Sequence, residues 1–195
     1  MVCMRLDASP RDQAIHARIR ESLTSRRFSH SVRVGRLACE LCERFSLDPD
    51  AGFTAGLAHD MCKSEPPERL LVLASMDGEK ITSIEQNKPS LLHGRAAAMV
   101  LISEYGLQEG SITNAVRHHT FGDPKLDPLS LVLYVADKIE IGRKQVLPAF
   151  RIRVLSSDLK KMAYLVLEEN LRYLESKGKK VSAASREMFD RLKEG

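Results

Sequence analysis

Between Phe28 and Phe45 the apolar residues Phe28, Val32, Leu37, Ala38, Leu41, Cys42 and Phe45 recur at helical spacing, which predicts a helix with one buried face. The same period governs most of the chain. Ser9-Pro10 reads as N-cap and first helical position of a helix reaching about Thr24. Asp48-Pro49 ends the second pattern and caps a helix that carries His59 and Asp60 near its end. Pro66-Pro67 opens a leucine-rich helix to about Met76, and Asp77-Gly78 is a turn. The stretch from Ile81 to Pro89 is poorly patterned and reads as a short helix or a loop. Ser90 caps a helix from Leu91 to Tyr105, with Gly106 as its stop. A short helix from Glu109 to about His118 follows, then a polar loop opened by Gly122-Asp-Pro and a helix from Pro128 through Asp137. Beyond Gly142, the spans Leu147 to Leu155, Ser157 to Glu175 and Val181 to Lys193 read as amphipathic helices. No stretch sustains strict alternation, so the expected fold class is all-α.

Length and charge narrow this further. A chain of 195 residues suffices for one domain with a sizeable core. With 43% hydrophobic and 29% charged residues, its composition is that of a globular protein. Thirty Lys and Arg against 26 Asp and Glu give a net charge of +4, which suits an anionic small substrate but is too mild to demand nucleic acid. No apolar run reaches the roughly 18 residues of a membrane span, and the N-terminal pattern is not that of a signal peptide, so no membrane association is expected. Of the four cysteines, Cys39 and Cys42 form a CxxC inside a helical pattern; with no second CxxC they read as small core residues. With Cys3 and Cys62 they lead to the expectation of a reducing, cytoplasmic setting. The lysines at 177, 179 and 180 read as a solvated turn, and His16 as a surface or packing histidine.

Chemistry concentrates elsewhere. His30, the pair His59-Asp60, His93, His119 and Asp137 each fall at or near the end of a helix-like segment. Their separations of 29, 33, 26 and 18 residues each span one or two helices, so a bundle can gather them around one cavity. A buried histidine or helix-terminal aspartate taken singly is commonly structural. Six together form a histidine–carboxylate set suited to Fe, Mn, Zn or Co. They exceed the needs of one tetrahedral zinc and could hold two ions bridged by a carboxylate such as Asp60. Paired metals activate a hydroxide and clamp both oxygens in phosphoryl transfer, which points to a phosphoester or phosphoanhydride substrate. Lys63, three residues after Asp60, and Lys138 and Arg143, close behind Asp137, are candidate phosphate contacts. Glu140 reads as support for a ligand or as an ion-pair partner.

At these residues the chain resembles the HD-domain metal-dependent phosphohydrolases. The runs Arg27-Phe-Ser-His30-Ser-Val-Arg-Val, Ala55-Gly-Leu-Ala-His59-Asp60-Met-Cys-Lys63, Leu92-His93-Gly94, Ala115-Val-Arg-His-His119-Thr-Phe-Gly122 and Tyr134-Val-Ala-Asp137-Lys-Ile-Glu140-Ile-Gly-Arg143 are similar to the YqeK family of bacterial symmetrical dinucleoside tetraphosphatases. The resemblance spans about residues 27 to 143 and implies one HD-type domain over 1–195, with helices at about 147–193 packing on that core. It implies that His30, His59, Asp60 and Asp137 hold one metal, and His93, His119 and a shared Asp60 a second. It further implies iron at the centre and symmetrical cleavage of diadenosine tetraphosphate into two ADP by a metal-bound hydroxide, with Asp60, Lys63 and Arg143 catalytic. GDP would be the product from the guanosine analogue. His118 stands where the family has a tyrosine, and Phe121 where a threonine is usual. This leaves His118 open as ligand or substrate contact, although His119 matches the family's His-Thr-x-Gly. Two alternatives stand beside this reading: an HD phosphohydrolase for another nucleotide, and a nucleotide-binding module without turnover. The apolar C-terminal helices could also support a homodimer.

Overall fold

A computed structural model describes residues 9–194, and these form eleven α-helices and no strand. They are α1 (Pro10–Ser22), α2 (Ser25–Arg44), α3 (Pro49–Ala58), α4 (Pro67–Ser75), α5 (Ser83–Asn87), α6 (His93–Tyr105), α7 (Ser111–His118), α8 (Pro128–Ile139), α9 (Pro148–Leu155), α10 (Leu159–Ser176) and α11 (Ala183–Glu194). The caps expected of Ser9, Asp48 and Gly106 are in place: Ser9 accepts from the Asp12 amide and Asp48 from that of Asp50, while Gly106 ends α6 at φ 64°. Ser90 is different. Its segment, Pro89–Leu92, is a turn of 3-10 helix, and α6 begins only at His93 with no side-chain cap. The poorly patterned stretch resolves into α5, closed by a capping box in which Thr82 and Glu85 bond each other's backbone amides.

α2 and α3 run antiparallel at unusually close range, because glycines face each other across the contact. A Cβ on Gly56 would lie 2.5 Å from the Gly35 Cα, and one on Gly52 2.8 Å from the Ala38 carbonyl oxygen. That approach sets the start of α2 beside the end of α3, and therefore His30 beside His59. α8 runs through the interior, packed against α2, α3, α7 and α10, and nearly every residue from Leu129 to Asp137 is buried. A continuous apolar cluster extends from Ile15 through Val132 and Val135 to Met162, Val166 and Leu192. No helix among the described residues is long and apolar enough to cross a membrane.

The cysteines of the CxxC do not pair with each other. Cys42 and Cys62 are buried free thiols, and burial pushes each up to about 12. Such thiols carry almost no thiolate at neutral pH and are poor nucleophiles and ligands. Cys3 lies outside the described residues.

Candidate metal centre

All six residues of the histidine–aspartate set meet at one place, and none exceeds 9% exposure. Each comes from a helix end or the turn beside it. His30 is in the second turn of α2, His59 follows the last residue of α3, His93 opens α6, His119 follows α7, and Asp137 lies in the last turn of α8. Asp60 sits just past α3 in a turn whose amides bond three residues back, Met61 to Ala58 and Lys63 to Asp60. This tight turn, and not a continuous helix face, brings the Lys63 ammonium 3.5 Å from the Asp60 carboxylate.

The histidines are oriented by their Nδ1 atoms. Those of His59, His93 and His119 lie 2.7, 2.8 and 2.7 Å from the carbonyl oxygens of Gly56, Ser90 and Val116, in each case three residues earlier. A carbonyl only accepts, so Nδ1 carries the proton and Nε2 presents its lone pair to the centre. Ser90 thus contributes a carbonyl here instead of a hydroxyl cap. His30 is held by a carboxylate instead, with Nδ1 3.1 Å from Glu140 Oε1, and Glu140 is fixed in turn by Arg33. His119 can reach the cluster because residue 94 is glycine: a Cβ there would lie 2.9 Å from the His119 ring.

The resulting nitrogens do not satisfy one another. His93 Nε2 and His119 Nε2 face each other at 2.9 Å, and Asp60 Oδ1 is 3.0 Å from the former. These three acceptors crowd one point, and Lys63 Nζ, 2.9 Å from His93 Nε2, is the neighbouring donor. His59 Nε2 is buried without a hydrogen-bond partner, 3.7 Å from Asp137 Oδ1 and 3.8 Å from Asp60 Oδ2. Burial pushes the His59 imidazole below its ordinary value, and burial with the neighbouring His93 and His59 holds His119 well below, so both are neutral near pH 7. Burial alone would raise Asp60, but His59, His93 and Lys63 outweigh it and hold the carboxyl well below the usual range. Asp137 is likewise opposed by burial yet held well below its ordinary value by Lys138, His30 and Arg143. Converging imidazole nitrogens and two ionised carboxylates form a donor set that fits a divalent transition metal. Three overlapping groups arise: His30, His59 and Asp60; His59, His119 and Asp137; and Asp60, His93 and His119. Within each, the ligand atoms lie within 4.8 Å of one another.

The cluster forms part of the wall of a cavity of about 1180 Å³. Lys63, Lys138 and Arg143 line it, so the three phosphate candidates share the space. Lys138 Nζ lies 3.0 Å from Asp137 Oδ2, donates to the His119 carbonyl at 3.2 Å and sits 4.3 Å over the Tyr134 ring. Arg143 bonds both the carboxylate and the carbonyl of Asp137. His118 does not line this cavity. Its charged neighbours are Glu79, Arg117, Asp123 and Lys125, so of this pair of histidines it is His119 that joins the cluster, and His118 is not brought to the cavity. Arg27, which no motif chemistry singles out, has its guanidinium 3.2 Å from Asp60 Oδ2; its place three residues before His30 puts it on the same helix face. Arg33 is one turn further along, and nothing in the sequence marks its bond to Glu140, 107 residues away.

Comparison with known proteins agrees with this geometry. The family model described as the HD domain matches residues 27–142, more than half the chain. The symmetrical bis(5'-nucleosyl)-tetraphosphatase of Bacillus subtilis is 35% identical over 133 residues, 68% of this chain and 70% of that protein. A probable nicotinate-nucleotide adenylyltransferase/Ap4A hydrolase of Mycoplasma genitalium is 31% identical over 163 residues, covering 81% of this chain but only 45% of that protein. The chain thus spans less than half the length of that relative. A crystal structure from Clostridium acetobutylicum, described as a predicted HD superfamily hydrolase involved in NAD metabolism, superposes with a TM-score of 0.86 at 25% identity, over 93% of this chain and 96% of that one. The matched stretch contains all six clustered residues, and the chain belongs to the HD domain family.

Proposed function

We propose that this protein is a divalent-metal hydrolase that cuts dinucleoside tetraphosphates at the central anhydride, releasing two nucleoside diphosphates. The observation that carries the reading is the unsatisfied histidine–aspartate cluster in the wall of a large, basic cavity. At about 1180 Å³ the cavity exceeds the 300–1,000 Å³ of ordinary small-molecule pockets, which suits a substrate larger than one nucleotide. The names of relatives in Bacillus subtilis, Staphylococcus aureus and Halalkalibacterium halodurans, all symmetrical bis(5'-nucleosyl)-tetraphosphatases, support the same substrate.

Two ions fit the ligand count: His30, His59, Asp60 and Asp137 for one, and His93, His119 and the shared Asp60 for the other, with iron as the proposed metal. When bound, such ions supply a water of lowered pKa and polarise phosphoryl oxygens. The chain's own groups do the rest. Water oxygen joins one central phosphorus, the bridging oxygen leaves with the other half, and the two protons of the water are released as both new terminal phosphates ionise. Lys63 and Arg143 stabilise charge developing on the phosphoryl oxygens, and Lys138 and Arg27 attract and orient the polyphosphate. The Nδ1–carbonyl bonds keep three imidazoles from rotating, and Glu140 does the same for His30. A homodimer formed through the C-terminal helices belongs to this proposal, and sedimentation would test it.

Incubating the iron-, manganese- or cobalt-supplied protein with diadenosine tetraphosphate tests the reaction. ADP as sole product is expected. AMP with ATP would reject the central cut.

A further inference from the structure

A second, smaller cavity of about 430 Å³ adjoins the first, and the two share Thr120, Lys138 and Asn170 in their walls. Two of the shared residues, Thr120 and Lys138, border the histidine–aspartate cluster. Thr120 follows His119, with its hydroxyl 3.5 Å from His119 Nε2, and Lys138 is bonded to Asp137. The smaller cavity has apolar walls that include Leu91, Phe121 and Leu174, and its cationic residues are Lys88, Lys179, Lys180 and the shared Lys138. Its volume falls in the range of pockets for one small ligand. An aromatic side chain on an apolar wall with ammonium groups nearby is the combination that takes a base and its attached phosphates. Two stretches with no other assigned role build it: the Ile81–Pro89 region supplies Lys88, and the turn at 177–180, read from sequence as merely solvated, supplies two lysines. Lys179 also links the cavities, because its ammonium lies 5.5 Å over Tyr173, which lines the larger one.

We propose that the smaller cavity seats one nucleoside half of the substrate, while the larger cavity seats the other half and the central anhydride. This inference rests on the proposed reaction. A symmetrical cut leaves two phosphates on each product, so the reacting anhydride must lie midway between two nucleoside sites. A ridge formed by Thr120, Lys138 and Asn170 beside the cluster places a cavity on each side of that point. Lys138, in both walls, is the residue over which the polyphosphate crosses.

Calorimetry of ADP binding to the metal-loaded protein tests the assignment. Two ADP per chain are expected. Leu174→Trp, which fills the smaller cavity, should leave one. The exposed pair Lys179→Glu/Lys180→Glu should weaken the second site and raise KM for diadenosine tetraphosphate by about tenfold with kcat retained. A single ADP site in a protein that still cuts the dinucleotide symmetrically would overturn the second seat and leave the reaction standing. So would an unchanged KM in the double lysine variant. Two bound ADP without any ADP formed from the dinucleotide would overturn the reaction, and with it the assignment of this cavity to a substrate half.

Discussion

Two buried polar clusters among the described residues, one around Arg95 and one around His59, are built on opposite principles. In the first, Arg95 of α6 is 7% exposed and uses all three guanidinium nitrogens. Nε and Nη2 hold Asp77 bidentately at 2.8 and 2.7 Å, Nη1 reaches Glu85 at 3.2 Å, and Nη2 also bonds the Glu79 carbonyl at 2.9 Å. Every charge there has an opposite neighbour. The second cluster, two residues along the same helix at His93, leaves His59 Nε2 without a hydrogen bond and sets two imidazole lone pairs face to face. A polar network that closes on itself holds a chain in place. One that stays open is built around something else, and the free energy that folding does not recover there is available to a ligand.

The contrast is sharpest under mutation. Asp60→Ala removes the carboxylate that two of the three ligand groups share, and turnover should fall below detection while the helical circular dichroism is retained. Loss of metal without loss of activity would refute the role. Arg95→Ala takes the bidentate partner from Asp77, which keeps only Arg117 at 4.0 Å as a counter-charge, and takes the ion-pair partner from the buried Glu85, so it should destabilise folding by about 3 kcal/mol, read from the denaturant midpoint. An unchanged midpoint would contradict the idea that this clamp holds the 77–85 stretch. Lys63→Ala should reduce kcat by about 100-fold with bound metal unchanged, as for loss of one transition-state donor. Glu140→Gln weakens the orientation of His30, and metal affinity should drop by about 10-fold or more with the fold intact.

The smallest effect concerns acid. Burial alone would raise Asp77, but its bonds to Arg95 hold it below the ordinary carboxylate value in the folded protein. A depressed folded value means that this stabilisation is complete above the unfolded value of about 3.9 and is lost as pH falls through the folded one. Denaturant midpoints should therefore decline below about pH 4, and the decline should be smaller in Arg95→Ala.

The two clusters also differ in how much of them can be read from sequence. The metal centre is legible because its residue types are conspicuous, and because helical periodicity alone places each of them near a helix end. The orientation of those residues is not. The carbonyls that fix His59, His93 and His119 come from Gly56, Ser90 and Val116, which carry no mark of that role. Ser90 invites reading as a helix cap because a serine before an apolar run usually is one; the intervening 3-10 turn redirects its carbonyl instead. The Arg95 clamp is illegible altogether. One arginine in an alanine-rich helix looks like surface, and its partners lie in a stretch without periodicity to which Arg95 reaches across. His118 and His119 are separated only by where α7 ends, since one residue of helix turns the side chain by about 100°.

The central claim is that the open cluster is a metal centre on which hydrolysis depends, and metal content measured alongside turnover in the same sample tests it most directly. The account predicts up to two transition-metal ions per chain, loss of ADP formation from diadenosine tetraphosphate when a chelator strips them, and recovery when they are returned. Full turnover by metal-stripped protein would contradict it.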